Sequence, residues 1–146
     1  MPILSGQIVT AGQLNRMQPR QFSAAATSAL SASTTYALIP GCSLTLPSTV
    51  ANATWTAVGV FDCSVTTTHT TNLMVGRLVV DTVAQTGLAI HAMDTLDRDT
   101  VAMLWSGTFA AAGSHALQLE GVINGAGGAG AFQVYTGFTV TVTEPV

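Results

Sequence analysis

Residues 55–65 read WTAVGVFDCSV, and their period decides the fold. Trp55, Ala57, Gly59, Phe61, Cys63 and Val65 fall on one side of an extended chain, and Thr56, Val58, Val60, Asp62 and Ser64 on the other. Successive side chains of a pleated strand point to opposite faces, so a repeat of two with one strongly apolar side marks a strand against a core. Residues 131–143, AFQVYTGFTVTVT, alternate in the same way, with Phe132, Val134, Phe138, Val140 and Val142 opposed to Gln133, Tyr135, Thr139, Thr141 and Thr143. As one strand rising ~3.4 Å per residue, this segment crosses a whole sandwich and belongs at the centre of a sheet.

Working outward, strand patterns recur at 34–39, 43–46, 73–80, 87–92, 100–105 and 115–122. Turn residues separate them: Pro40-Gly41, Pro47-Ser48, Ala112-Gly113-Ser114 and the glycine-rich run after Asn124. Short strands at this spacing, with no long helix between them, predict an all-β antiparallel jelly-roll β-sandwich. At 146 residues the chain has the size of one domain with a real core, and no repeat or linker divides it. Residues 21–146 are read as the sandwich and residues 1–20 as an N-terminal arm.

Charge narrows the function. Only 8% of the residues are charged, against ~25% in an ordinary soluble domain, lysine is absent, and residues 21–61 carry no Asp, Glu, Lys or Arg. With a mean hydropathy of +0.47, the surface is one of Thr, Ser, Ala and Gly, lacking the interspersed charge that keeps proteins apart. Burial of that surface between identical copies is the simplest physical resolution, so a homo-oligomer is expected. Arg16, Arg20, Arg77 and Arg98 form no basic stripe, which argues against nucleic acid. The charge-poor stretches are too rich in Ser, Thr, Pro and Gly for membrane spans. The N-terminus lacks the basic start and apolar run of a signal peptide, which predicts synthesis in a cytosol.

The arm, MPILSGQIVTAGQLNRMQP, reads differently from the body. Thr10 and Gln13 fit the S/T-x-x-E/Q capping box; Leu14 and Met17 then share a helical face, Ile8 and Val9 precede them, and Pro19 stops the helix. So short a helix is marginal in water by itself, so it must dock, on its own body or on a neighbour. The expected assembly residues are Ile8, Val9, Thr10, Gln13, Leu14, Arg16 and Met17.

The stretch GQIVTAGQLNRMQP resembles the start of small structural proteins encoded in the virion gene clusters of tailed bacteriophages and prophages of actinobacteria. GRLVVDTVAQTG (76–87) and TFAAAGSHALQLEG (108–121) are similar to the body of those proteins, and the body pattern also resembles the jelly roll of complement and tumour-necrosis-factor-like heads. The resemblance implies a virion component, trimeric as such heads usually are, on the capsid as a decoration or in the tail or fibre. Its arm would contact other virion proteins, the major capsid or tail proteins.

Sites of chemistry are few. Residues 125–130, GAGGAG, match G-x-G-x-x-G, but a strand pattern follows rather than the helix N-terminus that a dinucleotide phosphate needs, so a hairpin loop is expected and no cofactor. Asp94, Asp97 and Asp99 are candidate calcium ligands without the spacing or turn glycine of a helix-loop-helix site; a solvated loop with Arg98 pairing locally is the plainer expectation. Cys42 and Cys63 are read as small buried hydrophobes, with a disulfide as the alternative. His69, His91 and His115 show no nucleophile–base spacing, and adjacent Ser114 and His115 do not make a relay, so no enzyme is expected. Trp55, Trp105, Tyr36 and Tyr135 are candidate glycan contacts for a host-adsorption module, although the strand faces of Trp55 and Trp105 favour the core.

Overall fold

The alternation of residues 55–65 is realised in a computed structural model that describes residues 9–145. In chain order the elements are α1 (Ala11–Met17), β1 (Arg20–Ala25), β2 (Leu30–Ser31), β3 (Ala37–Ser48), β4 (Ala53–Thr67), β5 (Leu73–Val80), β6 (Val83–Ala84), β7 (Ala89–Ala92), β8 (Arg98–Phe109), β9 (Gly113–Ile123), β10 (Ala129–Phe132) and β11 (Gly137–Thr143). One sheet runs β1-β11-β4-β8, extended by β10 and β2, and the other runs β3-β9-β5 with β7 and β6 on the far edge of β5; all pairings are antiparallel. A six-stranded and a five-stranded sheet in this order make an antiparallel jelly-roll sandwich.

β4 is its spine. Ala53, Trp55, Ala57, Phe61, Cys63 and Val65 are buried, while Thr54, Thr56 and Val58 lie outside. Phe61 stands edge-on to both Trp105 and Phe132, with centroids 6.3 and 6.0 Å away, an arrangement that aromatic quadrupoles favour. Across the core, Gly76 of β5 faces Gly121 of β9 in register. A Cβ at Gly76 would sit 2.3 Å from Phe61, and one at Gly121 would sit 2.2 Å from Phe132. The glycine pair is therefore the niche into which the two rings fit.

Two expectations need correction, and one strand is new. Residues 131–143 are not one strand: β10 and β11 both pair with β4, but the chain takes five steps from Phe132 to Gly137 while β4 takes three from Cys63 to Val60. The surplus bulges out as residues 133–136, which exposes Val134 instead of placing it in the core. The strands expected at 34–39 and 43–46 are one, β3, with a register shift between Leu38 and Ser43. There Gly41 takes φ +86° and the Pro40 carbonyl turns to accept from Thr27 N–H at 2.9 Å, so Pro40-Gly41 bends a strand rather than ending it. β1, which the sequence reading did not single out, pairs along β11 with Phe22 and Ala24 toward the core.

Cys42 and Cys63 are buried free thiols, and burial pushes them up to about 11 and about 12, respectively. The glycine-rich run carries no helix: it is a loop before β10 whose carbonyls at Ala126 and Gly127 accept from the Asn72 side-chain amide. No helix among the described residues is long and apolar enough to cross a membrane.

Candidate functional site

The outward side of the β1-β11-β4-β8 sheet presents a regular set of small side chains. Partners in register share a face, so the outer side reads as rows: Ser23, Thr139, Val58 and Leu104 in one, Gln21, Thr141, Thr56 and Ser106 in the next. The flanking rows, Ala25–Gly137–Val60–Ala102 and Thr143–Thr54–Thr108, continue it. None of these side chains is charged, and Val58 and Leu104 are 43% and 59% exposed. The opposite sheet differs: its outer side carries the Arg77–Glu120 ion pair at 2.7 Å, with the guanidinium 3.6 Å over the Tyr36 ring. On the β1-β11-β4-β8 face, charge is confined to one end, at the Asp62–Arg98 pair.

The bulge closes one end of that face. Asp62, on the outer side of β4 but buried, accepts from Arg98 Nε and Nη2 at 2.8 and 2.7 Å. Its backbone carbonyl accepts from Gln133 N–H, and its N–H donates to Thr136 Oγ1 at 3.0 Å. The Arg98 hydrogen bonds outweigh burial and hold the Asp62 carboxyl below its usual range. Pinned in this way, the bulge projects Tyr135, 77% exposed, with the Arg98 guanidinium 5.4 Å from its ring. Beneath Tyr135 a shallow groove of about 480 Å³ runs between Ala24, Ala25, Val58, Val60 and Phe138.

α1 forms as expected. Thr10 N–H donates to Gln13 Oε1 at 2.8 Å and Gln13 N–H to Thr10 Oγ1 at 3.2 Å, a complete capping box. Gly12, Asn15 and Arg16 line a cleft against Arg20, Thr49 and Glu144 of the body. At ~100° per residue Leu14 and Met17 then lie on the opposite side of the helix, and they are 55% and 42% exposed. Val9 is half-buried, and Ile8 lies outside the described residues. Glu144 anchors the cleft: burial disfavours its charge, yet hydrogen bonds from Thr49 N–H and Oγ1, with the Arg20 and Arg16 charges, hold its carboxyl below the usual range.

The other singled-out residues do not converge on a site. Trp55 and Trp105 are each 3% exposed, Trp55 packing on Phe109 and Trp105 Nε1 donating to Gly87 O, so neither presents a ring for a sugar. Asp94, Asp97 and Asp99 are not gathered: Asp97 bonds His91 and Thr95, Asp99 accepts from Thr100 N–H, and Arg98 turns across to Asp62 instead of pairing locally. The described residues contain no group of three side chains able to hold a metal.

One cluster was invisible in the sequence. His115 Nδ1 lies 2.6 Å from Asp81 Oδ2 and its Nε2 3.1 Å from Ser48 Oγ, a Ser–His–Asp order assembled from residues 34 and 67 positions away. Burial runs the wrong way for a hydrolytic relay, which needs an accessible hydroxyl and a sheltered acid. Ser48 is 4% exposed, whereas the Asp81 side chain is 45% exposed. Ser48 Oγ also donates to Ala111 O at 3.2 Å, and His115 stacks at 3.8 Å on Phe109. Asp81 and Thr82 form the two-residue turn between β5 and β6 at φ +48° and +71°, and Asp81 Oδ1 accepts from Ala116 N–H at 2.8 Å. The cluster ties that strained turn to the ends of β3 and β9.

No family model matches this chain, and no curated protein is significantly similar to it. Solved structures share the architecture. A chain of dimeric latent PorU from Porphyromonas gingivalis superposes with a TM-score of 0.56 at 8% identity, over 85% of this chain and 12% of its own length. A chain in the structure of infectious bursal disease virus, Gx strain, superposes at 0.53 and 9% identity, over 86% of this chain and 32% of its own. This chain therefore spans only a minor part of either, and at such identities the likeness shows the β-sandwich fold alone.

Proposed function

We propose that this protein is a non-enzymatic structural component of a tailed-phage virion that works by assembling with copies of itself, as a homotrimer, on the capsid or in the tail or fibre. The uncharged outer face of the β1-β11-β4-β8 sheet carries the reading. The hydroxyls of its Thr and Ser residues can pair across a contact without desolvating a charge, and burying its apolar part, led by Val58 and Leu104, yields ~25 cal/mol per Å². No charge there resists a second copy, and a closed ring leaves no copy of the face exposed. The sandwich shared with a viral chain is compatible with this role, as is the arm, which reaches for a neighbouring chain in the particle.

Light scattering at micromolar concentration tests it. The expected result is a trimer that Val58→Lys with Leu104→Lys converts to folded monomer, because two charges would have to be desolvated in each interface. A stable wild-type monomer refutes it.

Carbohydrate binding at the host surface is the second reading, and with Trp55 and Trp105 buried it rests on Tyr135, whose ring is exposed beside the Arg98 guanidinium. The groove below offers sugar hydroxyls few polar partners. Glycan-array binding lost in Tyr135→Ala would favour it over assembly.

A further inference from the structure

The footprint of the uncharged face sets the problem. Four strands ~4.8 Å apart, over the seven residues 54–60 at ~3.4 Å each, cover roughly 450 Å². A standard stable interface takes ~800 Å² from each partner, so the face falls short even allowing for its corrugation. More apolar surface must be covered than the face supplies, and among the described residues two features of matching chemistry are exposed. One is the stripe of Leu14 and Met17 on α1, which contains no buried residue. The other is a depression within the face itself, beneath Tyr135, where Val58 and Val60 are the outward apolar side chains beside Ser23 and Thr139.

They do not meet within one chain. α1 turns its polar side, Asn15 and Arg16, to its own body beside Thr49 and Glu144, so its apolar side points away from that body. It also leaves β1 at the wrong end: Arg20 pairs with Val142 and is held by Glu144, whereas the groove lies where Ala25 pairs with Gly137. Resting on the assembly reading above, we infer that α1 of one copy seats Leu14 and Met17 in the groove of the next. Different patches then meet at each contact, the head-to-tail geometry that closes a ring. Docking also resolves the marginality of a seven-residue helix, whose capping box shapes it in advance for the partner. Tyr135 and Arg98, residue types enriched at interface hot spots, form one rim of the seat.

Site-directed crosslinking of the full chain tests the inference. Met17→Cys and Ser23→Cys place one thiol on the stripe and one on the groove wall, while native Cys42 and Cys63 are buried. With a short bis-maleimide, the doubly substituted chain is expected to give a ladder ending at the full oligomer, and an equimolar mixture of the two single variants to give dimers. A crosslink confined within one chain, or no crosslink in a chain that light scattering shows to be oligomeric, overturns the clasp. A second variant, Leu14→Asp with Met17→Asp, leaves the sandwich untouched and is expected to raise the concentration needed for assembly at least tenfold. If that variant assembles at the wild-type concentration, the clasp is wrong while the face-mediated assembly stands. If the wild-type chain is itself monomeric, both fall.

Discussion

Gly76→Ala adds a single methyl at the centre of the sandwich, and the structure says what it meets. The new Cβ would lie 2.3 Å from Phe61 Cε1 and 2.5 Å from Cδ1, against the ~3.5–4.0 Å at which carbon atoms attract. The ring must therefore retreat by more than an ångström, yet Trp105 and Phe132 hold it edge-on from two sides. Overpacking of this kind costs ~1–3 kcal/mol, and the ~0.5–1 kcal/mol that alanine ordinarily gains over glycine within a strand offsets only part of it. The expected net loss is about 1–2 kcal/mol, or a fall of roughly 2–8 °C in Tm for a chain of this size. Urea unfolding followed by the fluorescence of Trp55 and Trp105, both buried, measures it. The discriminating measurement is the double-mutant cycle with Phe61→Leu, which removes the clashing ring atoms. The two changes are expected to couple favourably by ~1 kcal/mol or more, so that Gly76→Ala is nearly neutral in the Phe61→Leu background. Strict additivity, or a Gly76→Ala protein as stable as wild type, would show that the niche is not what holds Phe61.

Acid should loosen the two anchors of the proposed interface first. Asp62 and Glu144 both have folded-state pKa values below their ordinary ~3.9 and ~4.3, so each contributes stability that is present above those values and lost as pH falls through the lower folded ones. Urea midpoints are expected to hold from pH 7 to about 5 and to drop below about 4, with a smaller acid loss in Asp62→Asn. Cys42 and Cys63, pushed up to about 11 and about 12 by burial, should resist maleimide labelling at pH 8 until the chain unfolds, which a timed labelling series in urea would show. Ser48 should remain unlabelled by a fluorophosphonate in the folded protein, and stoichiometric labelling would overturn the structural reading of the His115 cluster. Tyr135→Ala should change unfolding free energy by no more than ~0.5 kcal/mol while weakening self-association in light scattering.

Local signals made much of the architecture legible. The period of two along 55–65 and 115–122 survives as buried alternation on β4 and β9, because burying one face of a strand is a one-dimensional instruction written in the chain. The capping box of Thr10 and Gln13 is equally local and forms as read. β1 was harder to see: its inward residues are only Phe22 and Ala24, a weak contrast to Ser23 and Ala25, and its strand state depends on β11. The bulge at 133–136 was not legible, since alternation continues through it on paper. Only the mismatch in length against β4, with Asp62 holding the surplus, shows where the strand breaks.

By itself, then, the sequence determined an all-β sandwich behind a short capped helix, in a chain with only 8% charged residues. Those properties follow from composition and period, which need no knowledge of what touches what. That charge on the β1-β11-β4-β8 face gathers at one end, where Tyr135 is held out, that Ser48, Asp81 and His115 meet with their exposure inverted, and that Leu14 and Met17 turn away from their own body were decided only by tertiary structure. Each depends on registers between strands distant in the chain, and register is set by packing of the whole core rather than by any segment alone.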